Sequence, residues 1–236
     1  MEQERIVLDQ NLLSHASQEV RAEFIRKTYS HLALAFLLFI GIEALFLNTP
    51  FIVELGLKMT QGFTWLLVLG GFMLVTNMAE KWAANAGSKN MQYGGFLLYI
   101  VAEAFLFVPL LYIAMSYSGN GTELLMQAFV TTLFLFGALS AVVLYTKKDF
   151  SFLRSALMVG GILAIGLIVA GTAFGFNLGL AFSFGMVALA AGSILYQTSN
   201  LVHKYDTSQY VVASLGLFAS FMLLLWYVIQ IFMSRD

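Results

Sequence analysis

After residue 27 the chain is a succession of long apolar runs broken by short polar or turn-like stretches. Seven such runs lie at about 28–47, 62–79, 92–117, 123–146, 152–174, 177–198 and 209–233. A helix rises about 1.5 Å per residue, so some 20 apolar residues cross a hydrocarbon core roughly 30 Å thick. The runs are of that length, the second being the shortest. The pattern predicts an all-α integral membrane protein built as a seven-transmembrane-helix bundle. The connections are short, which places successive helices antiparallel. "YSGNGT" (117–122) and "FGFN" (174–177) have turn composition.

Composition supports the same class. Of the 236 residues, 60% are hydrophobic and 11% charged, and the mean hydropathy is +0.83. A soluble domain carries roughly 25% charged residues, so this chain cannot cover itself with a water-compatible surface. No polar stretch after residue 27 could hold a second domain. Two parts are expected: a tail over 1–27 and the seven-helix domain over 28–236. The tail is polar and mixed in charge, and the run after it is long enough to span, so a permanent first helix is expected rather than a cleaved signal.

Lys and Arg placement orients the bundle. Ten of the twelve basic residues (Arg5, Arg21, Arg26, Lys27, Lys81, Lys89, Lys147, Lys148, Arg154 and Lys204) fall on the side of the N-terminus. Only Lys58 and Arg235 fall opposite. Basic residues stay cytoplasmic, so the expectation is a cytoplasmic N-terminus and an outside C-terminus. A net charge of −1, without a Lys/Arg cluster, argues against a nucleic-acid partner.

Within the tail, "SQEVRAEFIRK" (17–27) starts with Ser17 as a candidate N-cap, has Glu19 in its first turn and ends in Arg26 and Lys27. That order suits the helix dipole. Val20 and Phe24 share a face, so a short interfacial helix is expected there, with a partner-binding helix as the sharper alternative. In the later spans, Gly166/Ala170, Gly171/Gly175, Ala181/Gly185 and Ala188/Gly192 lie four apart. Small residues at that spacing let helix backbones approach closely in lipid.

Candidate chemistry is sparse. The chain has no cysteine, which excludes disulfides and thiol catalysis. No nucleophile–His–carboxylate set, phosphate loop or metal-ligand spacing occurs, so neither catalysis nor a cofactor or metal is expected. His15, His31 and His203 lie at or near the basic face, where interfacial solvation accounts for them. "NGT" (120–122) matches a glycosylation acceptor but sits too near the membrane to carry weight. Two intramembrane carboxylates remain, Glu43 in the first span and Glu103 in the third. Glu103, about eleven residues into its run, is roughly 16 Å deep. Two roles are open: a neutral acid serving as polar glue between helices, or a carboxyl lining a proton- or cation-responsive cavity.

Two stretches are specific enough to suggest a family. "YTKKDFSFLRSALMVGG" (145–161) and "GSILYQTSNLVHKYDTSQYVVASLGLF" (192–218) resemble the signatures of the Bax-inhibitor (TMBIM) family, with weaker support from "IRKTYSHLALAF" (25–36) and Pro109. The resemblance covers about 25–236. It implies a seven-helix bundle with the last helix near its centre. In the signature loop, Lys147 and Lys148 anchor the chain inside, and Asp149 or Ser151 is expected to cap the next helix.

Members of one branch of that family are calcium leaks gated by two aspartates that share a proton between the last two helices. The matching positions here are Gln197, in "ILYQTSN", and Ser220, in "LFASFM". Neither can ionise, whereas two facing carboxylates would supply both a pH switch and oxygen ligands for Ca²⁺. The pattern is closer to the bacterial YccA-type branch, which resembles modulators of the membrane-anchored AAA protease FtsH. "TSN" after Gln197 and the final "SRD" (234–236) fit that branch. The resemblance thus implies a multi-pass protein of the bacterial plasma (inner) membrane that modulates membrane-protein quality control. A pH-sensitive calcium or cation leak, using Glu103 in place of the aspartates, is the alternative, with Ca²⁺ or H⁺ as its ligand.

Overall fold

The computed structural model describes residues 17–85, 87–116 and 120–234. They form eight helices: α1 (Gln18–Leu47), α2 (Pro50–Met59), α3 (Phe63–Ala83), α4 (Lys89–Ser116), α5 (Gly121–Thr146), α6 (Leu153–Phe174), α7 (Gly179–His203) and α8 (Tyr210–Met233). Seven of them are long and apolar enough to cross a membrane. They coincide with the seven predicted spans. Backbone N–H and C=O groups have no water to turn to in lipid, so an all-helical chain is what such a sequence must form.

The eighth element, α2, is an addition to the sequence reading. Pro50 at its first turn presets the backbone for a helix start. Its ten residues are too few to cross, and Val53 and Gly56 bury one face while Phe51 and the Glu54–Lys58 pair stay exposed. Gly56 sits against Val108 and Pro109 of α4; a Cβ there would lie 3.2 Å from the Val108 side chain. Pro109 has no N–H to give the carbonyl four residues earlier, so α4 carries an open backbone position beside α2.

The first helix also differs from its expected form. Ser17 is the N-cap, its Oγ accepting from the Val20 N–H at 3.4 Å. From Gln18, however, the helix runs unbroken into the span for 30 residues, so residues 18–27 are part of the first span's helix. Phe24 explains the fusion: it is buried and its ring meets that of Tyr205 at 6.4 Å, so these first turns belong to the bundle. Residues 1–16 of the tail lie outside the described residues.

The core forms around α8. Fifteen of its residues are buried, on all sides, so it must be enclosed by other helices. Phe218 and Phe221 are the junction. Phe36 and Phe39 of α1, Tyr99 of α4, and Phe129 and Phe136 of α5 all set their rings against one or both. The Phe36–Phe221 pair is the tightest, at 4.5 Å between centroids in an edge-to-face arrangement, a geometry that aromatic quadrupoles favour. Further along, Phe107 of α4 and Trp65 of α3 flank Trp226. The central last helix is therefore as the resemblance implied.

Small residues do permit close approach, but mostly not where the four-residue spacings suggested. Gly166, Gly175 and Gly185 face open space, and Gly171 meets its own following loop at Phe176 and Leu178. Of those glycines, only Gly192 meets another of the long helices, at Leu157 of α6. A tight helix crossing is α3 on α4, where a Cβ on Gly95 would run into the Ala79 carbonyl and the Ala83 nitrogen. Spacing alone missed it because Gly95 pairs with alanines on a different helix. Gly95→Ala should therefore lower stability by about 1–3 kcal/mol. Gly94→Ala, whose Cβ meets nothing within 4 Å, should be close to neutral. Denaturation of the two variants in detergent, side by side, checks the contrast.

Candidate functional site

Gln197 and Ser220, the positions to which the resemblance assigned the aspartate pair, lie on the α7–α8 interface one turn out of register, each opposite a different residue. Ser220 is buried in α8 and donates its one hydroxyl proton to the Gly216 carbonyl at 2.8 Å. It must then accept from Ser193 of α7, whose Oγ lies 2.8 Å away. Gln197, one turn beyond Ser193, lays its carboxamide against Gly216; a Cβ on that glycine would be 3.0 Å from the amide carbon. Gly216 is what makes room for it. No hydrogen bond joins Gln197 to Ser220. The seam is thus a relay from Ser193 to Ser220 to the α8 backbone, with an amide packed beside it. None of these groups titrates near neutral pH, and none is the carboxylate that a calcium site would favour.

Further along α7, the Thr198 hydroxyl donates to Ser140 Oγ of α5 at 3.4 Å. Two buried polar atoms near this end of the bundle, Thr28 Oγ1 and Asn200 Oδ1, have no hydrogen-bond partner among the described residues.

The two carboxylates lie elsewhere. Glu43 is buried on α1, and both of its carboxyl oxygens lack a hydrogen-bond partner among the described residues. Glu103 is buried midway along α4, one turn from Tyr99 and one from Phe107. Among the described residues, neither carboxyl forms a hydrogen bond to a neighbouring helix. The glue role would need such an acceptor.

The signature loop is tied to α7. Lys147 ends α5 in the left-handed conformation (φ 52°), and its N–H reaches the Val143 carbonyl. His203 Nε2 lies 3.1 Å from the Lys147 carbonyl, so that nitrogen carries the donated proton. The Phe150 N–H donates to Ser199 Oγ at 2.9 Å, and Ser199 in turn donates to Asp149 at 3.3 Å. Asp149 also accepts from the Ser151 N–H at 2.8 Å. These bonds, the Ser151 N–H first, hold its carboxyl below the ordinary carboxylate range. The helix cap expected of Asp149 or Ser151 is not formed: α6 starts at Leu153, and no side chain caps it. Asp149 closes a turn within the loop and clips the loop to Ser199. Lys147 and Lys148 are exposed at the end that carries most of the basic residues.

Two histidines have more definite partners than interfacial solvation implied. His31 donates from Nδ1 to the Lys27 carbonyl at 2.8 Å, which leaves Nε2 to accept from Tyr93 OH at 3.1 Å. Its ring lies 4.9 Å from that of Tyr210, so it joins α1, α4 and α8. Ser193, Ser199, Gly216 and Ser140 were not singled out from the sequence. Only the resemblance over 192–218 pointed to that stretch, since short hydroxyl side chains in an apolar helix carry no periodic signal.

Comparison with known proteins places the chain in a family. Residues 21–236 match the family model described as Bax1-I, inhibitor of apoptosis-promoting Bax1. An uncharacterized protein of Pseudomonas aeruginosa is 29% identical over 220 residues, covering 92% of this chain and 91% of the relative. The Escherichia coli K12 protein named modulator of FtsH protease YccA is 33% identical over 147 residues, or 61% of this chain and 63% of that protein. A BI1-like protein of Arabidopsis thaliana is 26% identical over 231 residues, 95% of this chain and 85% of the relative. With the matched model spanning every helix but the first turn of α1, the chain is a multi-pass membrane protein that belongs to the Bax-inhibitor family.

Proposed function

We propose that this protein modulates an FtsH-type membrane protease in the bacterial inner membrane, and that it does so without catalysis or ion conduction of its own. The observation that carries this reading is the α7–α8 seam. Where the leak branch of the family would place two titrating carboxylates, Ser220 is hydrogen-bonded to Ser193 and to the Gly216 carbonyl, and Gln197 packs as a neutral amide. The YccA relative, named for its modulation of FtsH, supplies the partner class. In this reading the basic end of the bundle is cytoplasmic, and residues 1–27 are the handle that reaches the protease.

A second reading is favoured by the carboxylates. Glu43 and Glu103 are buried without a hydrogen bond from the described residues, and ionisable groups kept in a membrane interior commonly serve ion or proton pathways. Flux in proteoliposomes separates the two. The wild type should show no pH-dependent Ca²⁺ flux, and Gln197→Asp combined with Ser220→Asp should introduce it near neutral pH. Wild-type flux that Glu103→Gln abolishes would replace the modulator reading with the leak.

Orientation has its own check. A reporter fused after Asp236 should report the non-cytoplasmic side. A cytoplasmic signal would show that one of the seven spans does not cross.

The tail is tested by deleting residues 1–16, ahead of the Ser17 cap. Co-purification with a membrane-anchored AAA protease should weaken several-fold while the melting temperature holds. Equal recovery with and without those residues would remove the tail as the handle.

A further inference from the structure

Between α5 and α7 a cleft of about 250 Å³ opens on the outer face of the bundle. Leu135, Ala138 and Val142 of α5 form one wall, Val187 and Ala191 of α7 the other, and Leu224 of the buried α8 closes the bottom. Ala138 and Val142 are exposed, so the cleft faces whatever surrounds the helices. In a chain with seven spans, that is hydrocarbon.

Its dimensions select the occupant. Leu135 and Val142 are seven residues apart on α5, a rise of roughly 10 Å. Spread over that length, 250 Å³ open to the centres of water-sized molecules corresponds to a groove about 8 Å between its walls, narrower than the 10–12 Å diameter of a helix with its side chains. One extended hydrocarbon chain fits, whereas a helix of a partner protein does not. The position along α5 is also telling. Counted from Lys147, the cleft runs from about 7 to about 18 Å into the membrane, the depth of the acyl region in one leaflet of a core about 30 Å thick.

Charge supplies the headgroup. Lys147 and Lys148 are exposed where α5 ends, and neither forms an ion pair with a described residue. The neighbouring carboxylate, Asp149, is held by the Ser151 N–H and Ser199. Two lysines at a membrane surface above an acyl-sized cleft attract an anionic headgroup. We propose that the α5–α7 cleft, with Lys147 and Lys148, binds one acyl chain and the phosphate headgroup of an anionic phospholipid. The site is separate from the α7–α8 seam and does not depend on the modulator reading.

The purified full chain, in detergent with an equal mixture of phosphatidylglycerol and phosphatidylcholine of matched chains, tests this by native mass spectrometry of retained lipid. The wild type should retain phosphatidylglycerol several-fold over phosphatidylcholine. Lys147→Asn with Lys148→Gln should bring that ratio to about one; Asn tolerates the left-handed backbone at 147. Ala138→Trp, which fills the cleft, should lose retention of both lipids, while Leu167→Trp on the exposed face of α6 should not. Val142→Trp serves the same purpose should Ala138→Trp fail to fold. Equal retention of the two lipids by the wild type would overturn the proposal. So would retention that survives both cleft-filling substitutions, or a dimer that Ala138→Trp dissociates, which would make a second copy the occupant.

Discussion

Enclosure of α8 is the constraint on which the rest of the bundle depends. This helix is apolar all round and has almost no exposed face, so it cannot serve as a peripheral span. Lipid tails are as apolar as its side chains, and the enclosure therefore rests on packing rather than on a hydrophobic drive between helices. The rings of Phe218 and Phe221 provide that packing, receiving aromatic side chains from α1, α4 and α5 at once. Helices with less to offer this centre are displaced outward. Only Ala164 and Gly171 of α6 are buried, and it is held chiefly through α7.

Polar groups inside this bundle are treated in two distinct ways. Most hydroxyls return their proton to a carbonyl of their own helix: Thr132 to Ala128, Ser220 to Gly216, Thr76 to Phe72, Thr172 to Ile168. A hydroxyl satisfied in that manner costs little to bury and leaves an oxygen free to accept, which is how Ser193 joins Ser220. The carboxyl of Glu43 has no such local partner, since both its oxygens are unpaired among the described residues. An unpaired buried polar group costs the desolvation of that group. The seam between α7 and α8 is thus satisfied from within the bundle, whereas the buried carboxyl of Glu43 is not, among the described residues.

At the basic end, the loop 147–151 acts as a clasp between α5 and α7. The Lys147 carbonyl, the Phe150 N–H and the Asp149 carboxylate each find a partner on α7, in His203 and Ser199. One loop thereby fixes the register of α5 and α6 against α7, and it sets Lys147 and Lys148 outward at the membrane surface. The signature in the loop and the signature in α7 are two halves of one contact, which explains why both stretches carried the resemblance.

Hydropathy determined the class, the number of spans and their approximate limits, because each span needs enough apolar length to cross lipid wherever its neighbours lie. The basic residues gave an expected orientation for the same reason: charge is costly inside lipid at any position. Residues 192–218 pointed to the α7–α8 seam through their resemblance alone. Tertiary structure decided what depends on partners from distant parts of the chain. It placed Gly95 rather than the four-residue glycine pairs at the close crossing, and fused the turns before residue 28 to the first span through Phe24 and Tyr205. It also turned Asp149 from a cap into a clasp for Ser199. A spacing along one helix states which side chains share a face, but only the packed bundle states what that face meets.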